Sequence, residues 1–274
     1  MRANFMVSIV VAAASLFGVS ANAASLPTDA GVYDGLLQRY VLPSADGVNR
    51  VDYGRWRATA ADRTALDGYI AGQAALTPSK LGKPEQFAYW ANLYNAITLK
   101  VIVDAYPVAS IRDIKSAGVW FDPKAFIGPW VAKRVVVEGR DLSLDEIEHS
   151  ILREQFKDPR VHYSVNCASY GCPNIGLKAW RAETLEAELD AAARAFINHP
   201  RGVSVAKDGG LKVSSIYSWF KSDFGGSDAG LIAHFKRYAG PELAKALETS
   251  KTISGDDYDW SLNDVRKGKT EAKG

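Results

Sequence analysis

The stretch 84–105, PEQFAYWANLYNAITLKVIVDA, decides the fold class because its apolar residues recur at helical spacing. Pro84 suits the first position of a helix, and Pro107 stops the helix soon after the stretch ends. We therefore predict a helix over 84–105, the clearest in the chain. Its apolar positions are Phe87, Trp90, Ala91, Tyr94, Ile97, Val101, Ile102 and Ala105.

Shorter patterns of the same kind predict a chain with many helices and few strands. Further helices are expected over 31–40, 54–75, 144–156, 183–198, 228–239 and 241–249. Strands are expected over 133–137 and 161–167, with a hairpin over 203–213. Ser143 and Glu146 have the spacing of a capping box, which opens the 144–156 helix. The pattern predicts an α+β fold, one compact domain with several helices packed on a small, mostly antiparallel sheet.

Composition excludes several classes of protein. The 274 residues include 33 Lys and Arg against 31 Asp and Glu, a formal net charge of +2. This surplus is too small for the basic face with which a dedicated nucleic-acid binder neutralises phosphates. A content of 47% hydrophobic residues is that of a globular protein and not of a disordered one. We expect a monomer.

The first residues predict export. Arg2 precedes an uncharged, mostly apolar stretch over 5–19, and Ala21-Asn22-Ala23 matches the small-x-small rule for signal peptidase. We predict a signal peptide over 1–23, no transmembrane segment after its cleavage, and a periplasmic or secreted protein.

Four segments carry a resemblance to a known family. The chain resembles domain-of-unknown-function family 547 at YWANLYNA (89–96), LSLDEIEHSILR (142–153), DPRVHYSVNCASYGCP (158–173) and YDWSLN (258–263). We therefore expect a family domain over 85–263, an N-terminal helical region over 24–84 packed on it, and a disordered tail over 264–274. The resemblance extends distantly to papain-like and transglutaminase-like thiol enzymes.

The only two cysteines, Cys167 and Cys172, allow three interpretations. In an oxidising compartment a pair this close tends to form a disulfide, which here staples the 167–173 turn. Alternatively Cys167 is a catalytic thiol, or the two cysteines are a reversible redox pair. The compartment favours the disulfide.

A thiol enzyme needs a base beside its nucleophile. If 161–167 is a strand, His162 and Cys167 point to opposite faces, and His149 on the preceding helix is the better candidate. Glu148 or Asn95 then orients the imidazole. A buried Glu148 needs a partner, for which Arg160, Asn92 and Asn95 are the candidates.

The same polar residues have structural alternatives. Asn92 and Asn95 either bridge to a neighbouring loop or, for Asn95, contact a substrate or His149. His199 and His234 are expected at the surface or at helix ends. No spacing typical of a zinc site is present, so we predict neither metal nor other cofactor.

The loop 118–130 contains Trp120 and Trp130 and either plugs the core or lines a groove for a carbohydrate or peptide. The leading hypothesis is a disulfide-stapled binding or accessory module for an unknown small molecule or peptide. The alternative is a thiol-dependent amide or thioester hydrolase or transferase, with Cys167 as nucleophile and His149 as base.

Overall fold

The computed structural model describes residues 30–115 and 128–266, and this part of the chain has an α+β fold, as predicted. The predicted signal peptide over 1–23 and the end of the predicted tail, 267–274, lie outside the described residues. The helices are α1 Ala30–Tyr40, α2 Tyr53–Ala58, α3 Ala60–Ala74, α4 Lys83–Ala105, a π-helix Glu146–Arg153, α5 Glu154–Phe156, α6 Val161–Ser164, α7 Leu185–Ile197, α8 Ser215–Trp219, α9 Asp228–Tyr238 and α10 Pro241–Thr249. Short 3₁₀ turns cover Pro78–Lys80, Ile111–Asp113, Pro129–Val131 and Lys221–Phe224.

Among the described residues the strands form three small sheets, where one sheet was expected. The strands are β1 Val41–Leu42, β2 Arg50–Val51, β3 Lys133–Val137, β4 Arg140–Ser143, β5 Val203–Val205, β6 Leu211–Ser214 and β7 Ile253–Asp257. The pairs β1–β2, β3–β4 and β5–β6 are antiparallel. The β5–β6 pair confirms the predicted hairpin. β7 adds to β6 in parallel, and this pairing brings the residues just after 257 close to α8.

The predicted helix over 84–105 is the central element. It begins one residue earlier, at Lys83, and every residue from Phe87 to Leu99 is buried. It packs against α2, α3 and the π-helix, so its tyrosines and asparagines lie among other elements and not in solvent. Because it is buried on all sides, the helix tolerates polar side chains only where they find partners.

The predicted helix over 54–75 is two helices that break at Thr59. The Asp52 side chain accepts a hydrogen bond from the Arg55 N–H and caps α2, while Thr59 has an extended backbone. Trp56 is fully buried and stacks on Tyr40 with ring centroids 4.6 Å apart. The break turns the chain so that both helices contribute to one core.

The segment 144–156 is helical as predicted, but Glu146–Arg153 winds as a π-helix. The capping box is confirmed: the Ser143 N–H donates to Glu146 Oε2 at 2.8 Å, and the Glu146 N–H donates to Ser143 Oγ at 3.2 Å. Bonds from i to i+5 widen the turn, so side chains rotate away from the positions of an ordinary α-helix. Glu148 and His149 both line one cavity.

The predicted strand over 161–167 is wrong. Residues 161–164 form α6, which begins where the Asp158 carboxylate accepts from the Arg160 N–H at 2.8 Å. The Ser164 hydroxyl then donates back to the Val161 carbonyl at 2.8 Å. These local bonds outweigh the strand preference of the alternating apolar residues, because β propensity depends strongly on context. The argument that placed His162 and Cys167 on opposite faces is therefore also wrong.

His234 is not at the surface as expected. It lies on α9 with 6% of its surface exposed, and its Nε2 is 2.8 Å from the Tyr163 hydroxyl. Burial lowers the pKa of His234 to about 4, so the ring is neutral at pH 7.

No helix among the described residues is both long and apolar enough to cross a membrane.

Candidate ligand cavity

One cavity of about 550 Å³ collects most of the residues singled out in the sequence. Its walls come from α4, the π-helix, α6, the cysteine turn, α8 and the segment 258–260. Its lining includes Tyr94, Arg112, Trp130, Asp145, Glu148, His149, His162, Cys167, Cys172, Trp219, Phe220, Tyr258 and Trp260.

Cys167 and Cys172 form a disulfide in the cavity wall, which confirms the leading interpretation of the pair. Their Cα atoms are 6.4 Å apart, and the intervening turn contains Ala168 with a φ of 61°. The Cys167 N–H donates to Cys172 Sγ at 3.0 Å. Cys172 is 4% exposed, whereas Cys167 is only partly buried. The two cysteines therefore differ in their exposure.

The segment 258–260 closes over the cysteine turn. The Gly171 N–H donates to the Asp259 carbonyl at 2.8 Å, and a Cβ on Gly171 would lie 2.9 Å from the Asp259 backbone nitrogen. Only glycine allows this approach, which seats Tyr258 and Trp260 on the cavity. Sequence reasoning missed both as site residues, although the YDWSLN motif contains them.

Four aromatic side chains form a continuous wall. Ring centroids are 4.6 Å apart for Tyr258 and Trp260, 4.9 Å for Trp219 and Tyr258, and 5.8 Å for Trp130 and Trp260. Trp219 is 50% exposed, so a large aromatic face remains open to solvent. Of the predicted aromatic loop, Trp130 belongs to this wall, while Trp120 lies outside the described residues.

Glu148 and His149 stand at the polar side of the cavity. Arg153 Nη1 lies 3.2 Å from His149 Nδ1, and Asp145 Oδ1 lies 3.5 Å from His149 Nε2. Since a guanidinium only donates, Nδ1 accepts and the ring proton is on Nε2. Burial and the nearby Glu148 carboxylate together raise the pKa of Tyr94 well above its usual value.

His162 is fixed by a carboxylate that the sequence did not reveal. Its Nε2 lies 2.8 Å from Asp223 Oδ2, and Arg153 donates to both oxygens of the same carboxylate at 2.6 and 2.9 Å. Burial alone would raise the pKa of Asp223, but the bonds from His162 and Arg153 outweigh it and hold that pKa well below its usual range. The His162 ring stacks on Phe220 with centroids 4.3 Å apart.

Asn92, Asn95 and Arg160 do not line the cavity. Asn95 donates to the Ser164 carbonyl at 2.8 Å and accepts from the Asn166 N–H at 2.9 Å. The Asn92 amide likewise donates to the Trp180 carbonyl and accepts from the Trp180 N–H. These contacts are those of the bridging alternative.

Arg160 is not the partner of Glu148. It pairs with Asp158 at 2.6 Å, Glu186 at 2.7 Å and Asp190 at 2.9 Å. Those carboxylates raise its pKa further. Within residues 30–115 and 128–266, no group of three or more His, Cys, Asp or Glu side chains could hold a metal ion.

Comparison with known families gives one match. Residues 78–197 match the family described as "Protein of unknown function, DUF547". The match covers 120 of the 274 residues. The DUF547 segment contains α4, the π-helix and the disulfide turn, as the resemblance predicted. Residues 198–263 lie beyond the match, and with them Trp219, Asp223, Tyr258 and Trp260. No curated protein and no solved structure matches the chain.

Proposed function

We propose that this protein is a binding module whose cavity takes a small molecule or the end of a peptide that carries an apolar ring and a cation. The observation that carries the proposal is the aromatic cavity of about 550 Å³ with a few converging polar groups. Sites for small ligands have this size and this mixture of an apolar wall with few polar groups.

The charges around the cavity favour a cation. Asp145 and Glu148 contribute two carboxylates, while Arg112 contributes one guanidinium, which stacks over Trp260 at 5.3 Å. Arg153 is already committed to Asp223. The exposed face of Trp219 adds a surface on which a cation is attracted to the ring.

The disulfide supports binding over thiol catalysis. The nucleophile of a thiol enzyme is a thiolate, and a disulfide contains no thiolate. A thiol hydrolase with Cys167 as nucleophile and His149 as base is a second candidate because both side chains line the cavity. It requires hydrolysis of an amide or thioester that starts only after the pair is reduced and that Cys167→Ser abolishes.

Export remains part of the proposal, supported by the signal-peptide pattern over 1–23 and by the disulfide. Expression of the full chain in a Gram-negative host tests it. We expect the mature protein in the periplasm with Ala24 as its first residue; an uncleaved protein in the cytosol contradicts export.

The experiment that tests the proposed cationic ligand uses phenethylamine and 3-phenylpropionate, which share a ring and differ in charge. Tryptophan fluorescence follows each titration, since three tryptophans line the cavity. A fragment of about nine heavy atoms that gains about 0.5 kcal/mol per atom has a Kd of about 0.5 mM. We expect the amine to bind at this level and the acid at least about fivefold more weakly, because the carboxylates repel it.

Charge-removing variants locate the site. Glu148→Gln should weaken phenethylamine binding about threefold to tenfold, while the exposed Glu242→Gln, which removes the same charge outside the cavity, should leave it unchanged. Equal affinity for amine and acid, or equal effects of the two variants, contradicts the proposal.

A further inference from the structure

We propose that the Cys167–Cys172 disulfide exchanges with a thiol-bearing ligand that enters the cavity, with Cys167 as the attacked sulfur and Cys172 as the leaving group. The inference rests on the proposed function only in that the cavity must admit small molecules. The substrate class is a dithiol, or a peptide with two cysteines, that is oxidised in the exchange.

Access decides which sulfur is attacked. Both cysteines line the cavity, but Cys172 is 4% exposed, whereas Cys167 is only partly buried. An incoming thiolate must approach one sulfur along the line of the disulfide bond. From the cavity it therefore meets Cys167 first.

Hydrogen-bond donors decide which sulfur leaves. The Tyr258 hydroxyl lies 3.0 Å from Cys172 Sγ and 3.1 Å from Cys167 Sγ, so it can donate to either sulfur, and Ser169 Oγ lies 3.3 Å from Cys167 Sγ. The Cys167 N–H, which can only donate, points at Cys172 Sγ at 3.0 Å. Donors at these positions stabilise a thiolate as soon as it forms, and a stabilised thiolate leaves faster. The backbone donor at Cys172 thus matches the direction of attack that access favours.

Tyr258 keeps its proton available for this role. Its hydroxyl lies 2.7 Å from Ser169 Oγ, which can donate to it while the Tyr258 proton turns to Cys172. Burial raises the pKa of Tyr258 well above its usual value, so the phenol stays protonated at neutral pH. Ser169 is itself buried, which fixes the arrangement.

The exchange balances in two steps. The thiolate of the ligand forms a bond to Cys167 Sγ as the Cys167–Cys172 bond breaks, and Cys172 leaves as a thiolate that takes up a proton. The second thiol of the ligand loses its proton and attacks the ligand sulfur of this mixed disulfide, releasing Cys167. The ligand dithiol becomes a disulfide, and its two electrons and two protons pass to the cysteine pair.

The first test measures the rate at which reduced glutathione opens the disulfide in the native protein. Tyr258→Phe removes a donor that can turn to the sulfur that leaves and should slow reduction about tenfold. Tyr89→Phe is the matched control, because its buried hydroxyl donates to the Gln73 carbonyl outside the cavity. We expect the control to react at the wild-type rate.

The second test identifies the attacked sulfur. Brief exposure to glutathione, alkylation and digestion give the tryptic peptide 161–178, which contains both cysteines. We expect glutathione on Cys167 and the alkyl group on Cys172. Three results would each overturn the proposal. They are glutathione on Cys172, an unchanged reduction rate in Tyr258→Phe, and a rate that does not rise with glutathione concentration because unfolding limits it.

These outcomes are independent of phenethylamine binding. If the amine binds and exchange shows one of the contradicting results, only the exchange is wrong. If exchange proceeds as expected while the amine does not bind, the proposed cationic ligand is wrong and the cavity serves thiols.

Discussion

Replacing Asn95 by alanine should cost more stability than a polar-to-alanine change normally does. Asn95 lies in the central helix α4, with 4% of its surface exposed. Its amide bonds to the backbone at Ser164 and Asn166, on the segment that leads into Cys167. The side chain therefore connects the core to the cavity wall.

The magnitude follows from the groups left behind. The Ser164 carbonyl keeps a second donor, the Trp180 indole at 3.0 Å, so removing the Asn95 amide costs little at this carbonyl. The buried Asn166 N–H loses its acceptor, which lowers the free energy of unfolding by about 1–3 kcal/mol. Loss of the bond to the Ser164 carbonyl adds about 1 kcal/mol. We expect a loss of about 3 kcal/mol, which in a chain of this size lowers Tm by about 6–12 °C.

Urea unfolding followed by circular dichroism measures the change. The matched control is Asn198→Ala: the Asn198 amide donates to the Arg194 and Tyr238 carbonyls and accepts from Gly240, but the residue is exposed. Water replaces those partners, so the control should lose about 1 kcal/mol or less. If Asn95→Ala loses no more than Asn198→Ala, the reasoning is refuted.

Three further predictions concern the cavity and the buried ionisable groups. Trp219→Ala should weaken phenethylamine binding about fivefold in the fluorescence titration and change the unfolding free energy by less than about 1 kcal/mol, because the ring is half exposed. Asp223→Asn should lower the free energy of unfolding by about 1–2 kcal/mol at pH 7. Because the folded pKa of Asp223 is depressed, this difference from wild type is present above pH ~4 and shrinks as the pH falls below that value. A difference that stays constant down to pH ~3 contradicts the ion pair. His234 titrates near pH 6.5 when unfolded and near about 4 when folded, so wild type should lose up to about 3 kcal/mol between pH 7 and pH 4, whereas urea unfolding of His234→Gln should show that much less pH dependence.

The parts of the fold that local sequence determines were predictable. The helix over 84–105, the Ser143–Glu146 capping box and the Cys167–Cys172 disulfide each depend on residues close together in the chain. The spacing of apolar residues, a side-chain cap and a short loop between cysteines each leave a pattern that can be read without the fold.

The parts of the fold that long-range contacts determine were not predictable from the sequence. The local bonds that favour α6 over the predicted strand are joined by a bond from Asn95, 69 positions away, to the Ser164 carbonyl. Asp223 meets His162 from 61 positions away, and Tyr258 meets Cys172 from 86. The π-winding of 146–153 changes which side chains share a face, and a wheel of 3.6 residues per turn cannot show that.

The most direct test of the cavity as the ligand site is a titration of ¹⁵N-labelled protein with phenethylamine, followed through the tryptophan indole N–H resonances. Each of the seven tryptophans gives one such signal, assigned by single Trp→Phe variants. We predict that the signals of Trp219 and Trp260 shift and saturate together, while that of the fully buried Trp56 stays in place. Saturable binding that leaves Trp219 and Trp260 unmoved would contradict the account.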